Sequence, residues 1–436
     1  MKKYLTIFSL VFTVSAANAQ THEWTLQECT NYAVENNIQI KKSEQSLESQ
    51  EIRLNSSQNA YLPEVSASAS QNFSFGRGLT ANNTYSNTNT RTTSFSVGAS
   101  MTLFNGFQRR NNVELNKLNL SAYSADLEKV KNDIRLQVAQ AYVQILYNME
   151  IEDVAYRQTQ IDFAQVNRLE SFVANGKASE AELAQQKAAH ANSILTYTQA
   201  INSRRLSLLT LSQLLELPSA DSFAIARPDT ASIHNSQFIM HNDSINYDRP
   251  EIKAEEIRLD ATEYNLKVAK GGYYPTLTFS GGMSTNYYTA SNLPSESFSK
   301  QIDNNFSQYI SLNLNIPIFN RFSTRNNVRD VKIQQHSQQY TLDLARKTLY
   351  KEIQQVTLNA ENAAAKVAAA REAVANSETA FRLAQARYEN GKSTITEFNE
   401  SKNNYMKSQS DLAQAVYESM YCAMLVKWYQ GEEMGW

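Results

Sequence analysis

Five histidines and two cysteines are the side chains of this 436-residue chain best suited to metal or nucleophilic chemistry, and their spacing builds no site. His22, His190, His234, His241 and His336 are scattered, and none pairs with a cysteine or carboxylate at ligand spacing. There is no glycine-rich phosphate loop. The sequence therefore predicts no enzyme, no cofactor and no metal centre. Cys29 and Cys422 are too few for a disulfide framework. Counting helical rise puts them at similar heights, ~47 and ~60 Å from the strands read below. Two readings fit: one disulfide formed in an oxidising compartment, or two buried apolar thiols.

Other polar residues have a clear local task. Ser179 with Glu182, and Thr394 with Glu397, fit capping boxes that start helices. Each box closely follows an Asn-Gly-Lys triplet, Asn175-Gly176-Lys177 and Asn390-Gly391-Lys392. A glycine there suits a left-handed helix C-cap. Gly176 is the only glycine between Phe107 and Leu217, and Gly391 the only one between Asn320 and Gln430. All seven prolines (63, 218, 228, 250, 275, 294 and 317) fall outside these long stretches. Proline breaks helices and glycine weakens them. The pattern predicts two long helical hairpins, 107–217 and 321–430, with tips at Gly176 and Gly391. Phe107 to Asn175 would span about 100 Å at 1.5 Å per residue. Val130, Ile134, Val138, Ala141 and Ile145 recur at helical spacing. The alanine runs at 363–365 and 368–370 suit either close helix packing or simple helix propensity.

The hairpins belong to an internal repeat. Arg110-Asn111-Asn112-Val113 recurs as Arg325-Asn326-Asn327-Val328, and Leu103-Phe104-Asn105 as Ile318-Phe319-Asn320, at the offset that relates the two tips. Each half should be one structural unit. The expected division is repeat 1 over 20–217, a connector over 218–249 and repeat 2 over 250–430. Each repeat opens with a helix, about Leu26–Ala60 in the first and Pro250–Lys270 in the second.

Between that helix and its hairpin, each repeat carries two segments of period-two alternation, at about 64–76 and 93–104, and at about 275–288 and 308–319. In the first, Val65, Ala67, Ala69, Phe73 and Phe75 oppose Ser66, Ser68, Ser70, Asn72 and Ser74. In the last, Ile310, Leu312, Leu314, Ile316 and Ile318 oppose Ser311, Asn313 and Asn315. The polar faces are serine, threonine and asparagine almost without charge. A soluble sheet usually carries lysine and glutamate on its wet side, whereas an uncharged hydroxyl face suits a water-filled lumen with lipid behind it. Segments of this length cross a bilayer when tilted. Aromatics gather at their ends: Tyr61, Phe104 and Phe107, then Tyr273, Tyr274, Phe319 and Phe322. Polar loops, 76–93 and 290–307, join each pair of strands, as on the outer side of such barrels.

The chain begins as a secreted protein would. Lys2 and Lys3 precede an apolar run, Leu5 to Val14, and Ala17-Asn18-Ala19 fits a cleavage site, which marks 1–19 as a signal peptide. A net charge of −2 gives no basis for a nucleic-acid partner. Four strands cannot close a barrel, and an open edge is not viable in lipid. Eight strands fill with their own side chains, and a wider barrel keeps a lumen. An open duct therefore favours three copies over two. The competing class is a periplasmic helical-hairpin adaptor, which leaves the four lipid-suited strands unexplained.

The order of elements, the asparagine-rich start from Trp24-Thr25-Leu26-Gln27-Glu28 to Glu35-Asn36-Asn37, and Leu103-Phe104-Asn105-Gly106 at a strand exit resemble the TolC-type outer membrane efflux proteins over nearly the whole mature chain. The resemblance implies a mainly α-helical homotrimer in the outer membrane. Its twelve-stranded β-barrel, four strands per protomer, would continue as a periplasmic α-helical barrel. It implies a passive exit duct for efflux or type I secretion. A periplasmic adaptor and an inner-membrane RND or ABC pump would dock at tips around Gly176, Lys177, Gly391 and Lys392. It also implies a gate of acidic rings at Glu397 and Glu400, and a latch between Glu182 and Tyr388. The family's basic latch residue is replaced here by Ser393.

Overall fold

The computed structural model describes residues 23–79, 83–218, 223–228, 249–291 and 293–432. The signal segment, His22, His234, His241 and most of the connector lie outside the described residues. In chain order the elements are β1 (Glu23–Trp24), α1 (Leu26–Asn36), α2 (Ile38–Asn59), β2 (Glu64–Ser74), β3 (Arg77–Leu79), β4 (Tyr85–Asn87) and β5 (Thr90–Asn105). Then come α3 (Gln108–Ala174), α4 (Glu180–Leu214), β6 (Ala224–Ile225), α5 (Pro250–Gly271) and β7 (Thr276–Ala290). The chain ends with α6 (Phe298–Asn304), β8 (Ser307–Asn315), α7 (Ser323–Glu389) and α8 (Ile395–Gln430). No helix among the described residues is long and apolar enough to cross a membrane. The chain divides into two compact units.

One unit, Lys42–Val130 with Tyr247–Tyr350, holds the four long strands. They form one antiparallel sheet in the order β2-β5-β7-β8. The central β5–β7 pair joins the two halves of the chain, and β2 and β8 are left as edges. Every residue of both edge strands is exposed. The register lines up like with like: Ser68, Ser96, Ser284 and Ser307 form one row across all four strands. Oγ atoms meet at 2.7 Å between Ser68 and Ser96 and at 3.0 Å between Ser284 and Ser307. Side chains in a strand alternate faces, so this row places most of the serine, threonine and asparagine residues on one face, with Thr93, Thr285 and Thr289 on the other. Most of the apolar residues lie on that other face, while Tyr288, Ala290 and Tyr309 lie with the serines.

All four long strands differ from expectation by up to four residues at one end or both, most of all β8. β8 ends at Asn315, so Ile316 and Ile318 leave the ladder as exposed loop residues. Pro317, with no N–H to donate, explains that stop. Leu103 falls in a bulge between Thr102 and Phe104. Neither joining loop is plain coil, because one contains the β3–β4 hairpin and the other α6.

The strands turn abruptly into the long helices. Gly106 and Phe107 take φ +66° and +63°, and Arg321 and Phe322 take +54° and +61°. Two successive left-handed residues reverse the chain at each site, and at Arg321 without glycine's freedom. Each reversal sets two phenylalanines edge to face: Phe104 with Phe107 at 5.2 Å, and Phe319 with Phe322 at 5.4 Å. Arg109 seals the first turn. Its guanidinium donates to the carbonyls of Ala60 and Leu103 and lies over the Tyr61 ring.

The other unit holds residues up to Lys41, Lys131–Asn246 and Lys351 onward. The first expected helix is in fact two, broken at Asn37, where ψ is 131°. The Asn37 side chain carries the break. Its Nδ2 donates to the Leu214 carbonyl at 3.0 Å, and its Oδ1 accepts from the Gln39 N–H at 2.8 Å, capping α2. Ile134, Val138 and Ile145 of the α3 stripe are fully buried here. So is Tyr142, whose hydroxyl lies 3.0 Å from the Trp24 carbonyl and 2.6 Å from that of Ala226, beside the parallel β1–β6 pair. Of the alanine runs, Ala363 is buried, while Ala364, Ala365, Ala368 and Ala369 are exposed.

Of the two readings of the cysteines, the structure has the pair of buried thiols. Both are free thiols, and each is buried among its own neighbours. Cys422 packs with Ala360, Ala363 and Val426. Cys29 is wholly buried in α1, and burial, aided by the Glu28 carboxylate, pushes its thiol up to about 12. The thiolate is the nucleophile, so Cys29 stays protonated and inert well above neutral pH. The native protein should take no iodoacetamide at either cysteine at about pH 9. The denatured protein should take two equivalents without reductant, read as a mass shift.

Candidate functional site at the hairpin tips

Both hairpin tips are built by the same bonds. At the first, Gly176 takes φ +67°, its N–H reaches the Val173 carbonyl, and the Lys177 N–H reaches Phe172. At the second, Gly391 takes φ +67°, its N–H reaches the Tyr388 carbonyl, and the Lys392 N–H reaches Arg387. These pairs are the two bonds of a Schellman cap, which needs the left-handed glycine. Gly176, Lys177, Gly391 and Lys392 are all exposed.

The returning helices start differently. At α4 the capping box is complete: Ser179 Oγ accepts from the Glu182 N–H, and the Glu182 carboxylate accepts from the Ser179 N–H. At α8 only half of the expected box forms. Thr394 Oγ1 accepts from the Glu397 N–H, but the Glu397 carboxylate does not return to the cap. It stands instead 3.9 Å from the Arg387 guanidinium. Glu397 and Glu400 are both exposed, one helical turn apart.

Tyr388 and Glu182 come within electrostatic range of each other. The Tyr388 ring stacks on Phe398 at 5.4 Å, and its phenol faces the Gln165 side chain. Burial pushes that phenol above its ordinary value. Leu169, Phe381, Ile395 and Phe398 form the buried cluster beneath. Ser393 supplies no charge, but a cation from another helix reaches Glu389 and the Tyr388 ring. Arg168 of α3 pairs with the Glu389 carboxylate at 3.2 Å, donates to the Glu389 carbonyl, and lies 6.0 Å from the Tyr388 ring centre. Sequence reading missed Arg168 because nothing local links it to a tip on the other hairpin.

A second missed feature lies just above. Asp162 of α3 and Lys402 of α8 form a fully buried ion pair. Gln186 of α4 donates to the same Asp162 oxygen at 3.0 Å, Asn399 donates to the Gln186 carbonyl oxygen at 3.0 Å, and Lys402 donates to Asn399 Oδ1 at 3.3 Å. The four side chains make a closed ring of donors and acceptors across three helices. Among the described residues, Asp162 Oδ2 has no partner.

No cluster of His, Cys, Asp or Glu among the described residues could hold a metal ion. The arrangement can anchor, align and present charge. A sheet with one wet and one apolar face, joined to two long helical hairpins with built tips, defines the class of outer-membrane ducts. The profile of that class, described as outer membrane efflux protein, matches residues 30–216 and 244–419. The chain belongs to the outer membrane efflux protein family. It is 23% identical over 400 residues to the outer membrane efflux protein BepC of Brucella suis biovar 1 (strain 1330), covering 88% of this chain and 80% of that one. Its fold matches CusC with a TM-score of 0.77 at 17% identity, over 94% of this chain and 92% of that one. It matches the outer membrane protein VceC of Vibrio cholerae with a TM-score of 0.75 at 16% identity, over 94% and 97%. The chain is an efflux duct of the outer membrane.

Proposed function

We propose that three copies of this chain form one passive duct, a twelve-stranded barrel continued by a tunnel of helices. The observation that carries the reading is the pair of open edges. β2 and β8 are fully exposed, yet they bear the same apolar face as the central strands. A strand edge in hydrocarbon leaves backbone groups unpaired at several kcal/mol each. The edges must therefore meet the edges of other copies. Three copies leave room for a lumen where two would fill it. The exposed alanines of α7 are small enough for helices of adjacent copies to approach closely.

The duct has no energy source of its own, so cargo must be handed to it. We assign that role to a periplasmic adaptor and an inner-membrane pump of the RND or ABC class, docking at the exposed tips. In a trimer, Glu397 and Glu400 would form two stacked rings of carboxylates at the periplasmic mouth. Tyr388, Glu182 and Arg168 would set how firmly the tips are held together. The release of Glu397 from its cap supports the gate reading, because only an exposed pair with Arg387 holds its carboxylate back from the passage.

The test is oligomeric state. Purified in detergent, the protein should have the mass of a trimer by native mass spectrometry and should precipitate when detergent is removed. A monomer that stays soluble without detergent would overturn the duct and favour a soluble helical-hairpin protein.

A further inference from the structure

On the polar face of the sheet, one row differs from its serine neighbours. Ser66, Gly98, Gly282 and Tyr309 sit opposite one another across the four strands, near the middle of β5 and β7. The row on one side is all serine, Ser68, Ser96, Ser284 and Ser307, and the row on the other is Glu64, Ser100, Ser280 and Ser311. Tyr309 is thus a large aromatic side chain set between two serines of its own strand, Ser307 and Ser311.

Its ring does not stand up from that wall. A Cβ placed on Gly282 would lie 3.0 Å from Tyr309 Cε1, and one placed on Gly98 would lie 3.8 Å from the Tyr309 hydroxyl. The ring therefore lies across β7 and reaches β5, over two positions that have no side chain. At Gly282 an added carbon would also come 2.7 Å from the Val97 carbonyl oxygen, so that position tolerates nothing larger. Glycine weakens a strand interior and marks sites of close approach. Two glycines side by side beneath one phenol are a trough for it.

We propose that Tyr309 sets the bore of the barrel at mid-height, and that Gly98 and Gly282 keep the lumen open by holding its phenol flat against the wall. The proposal rests on the barrel reading, with the hydroxyl face inward. It goes beyond that reading by naming the residue that decides how bulky a solute passes. Filling the trough at Gly98 would turn three phenols, one per protomer, into the lumen.

The test uses accessibility from outside intact cells, in a background with Ser280→Cys. Ser280 sits one row to the periplasmic side of Tyr309, and both native cysteines are buried. A small maleimide and a polyethylene-glycol maleimide are compared. Gly98→Ala should leave both labelling rates unchanged, because its Cβ makes an ordinary contact with the phenol. Gly98→Val should leave the small reagent unaffected and slow the bulky one roughly tenfold, as a narrower pore excludes by size. Gly98→Val with Tyr309→Ser should restore the bulky reagent. An unchanged rate in Gly98→Val, or no recovery in the double variant, overturns the proposal. Should Gly98→Val fail to reach the membrane, Tyr309→Ser alone must speed the bulky reagent, and no gain overturns it equally. If Ser280→Cys takes not even the small reagent, the barrel reading itself fails.

Discussion

Lys402→Met will loosen the hairpin tips by about 3–5 kcal/mol, the usual cost of leaving one charge of a buried pair unpartnered. Asp162 is fully buried and its Oδ2 has no partner among the described residues, so it depends on Lys402 and Gln186 at Oδ1. The loss should be local. Amides of the tip-proximal turns of α3, α4 and α8 should exchange roughly a hundred to four thousand times faster, since each 1.4 kcal/mol is a factor of ten. Strand amides should keep their protection. Adding Asp162→Leu should recover much of the loss, because buried ion pairs can often be replaced by apolar groups. A single variant that costs less than about 1 kcal/mol would mean that water reaches the pair.

That pair explains why the tip was only partly legible in the sequence. Buried positions on α8 run Ile395, Phe398, Lys402, Met406 and Ala413, and on α3 they run Ala155, Thr159, Asp162, Val166 and Leu169. Both are helical stripes of the kind that pack helices together. The lysine and the aspartate each sit inside a stripe, where a reading by hydrophobicity sees only a gap. A polar group at such a position fixes which turn packs on which, at a cost in stability. The signal was therefore present as two interruptions, but nothing in one chain says that they face each other. Arg168 escaped for the same reason.

What was legible shows the other side of this rule. The tips could be read because a left-handed cap needs glycine locally, and Gly176 and Gly391 adopt it. The strands could be read because alternation is a property of neighbours in sequence. Their limits were read less well, since Pro317 stops the ladder before the apolar alternation ends. The helix break at Asn37 was hidden for a further reason. The amide that stabilises it bonds to Leu214, far along the chain. Local chemistry was visible; the choice of a distant partner was not.

Glu397→Ala combined with Glu400→Ala will raise single-channel conductance severalfold and abolish block by divalent cations. The two carboxylates are exposed on one face at the start of α8, while Phe398 and Lys402 hold the opposite face in the core. The substitution therefore removes charge without touching packing. At Glu397 it also leaves the cap intact, because Thr394 accepts from the backbone N–H and the carboxylate gives nothing back. Two rings of three carboxylates would attract divalent cations into a narrow mouth, as charged rings do in cation channels. Removing them deletes the binding site and widens the mouth at once. Glu397→Gln with Glu400→Gln separates these effects, because size is kept and charge is lost. It should abolish block while conductance rises less. Arg387 provides a further check: it stands 3.9 Å from Glu397 in an exposed pair, and such pairs contribute at most about 1 kcal/mol. Arg387→Ala should therefore leave the fold intact, and by freeing one carboxylate per protomer it should tighten cation block. If the double alanine variant conducts and blocks like the unaltered protein, the passage does not run past these residues. The gate must then lie at the Tyr388 and Arg168 contacts instead.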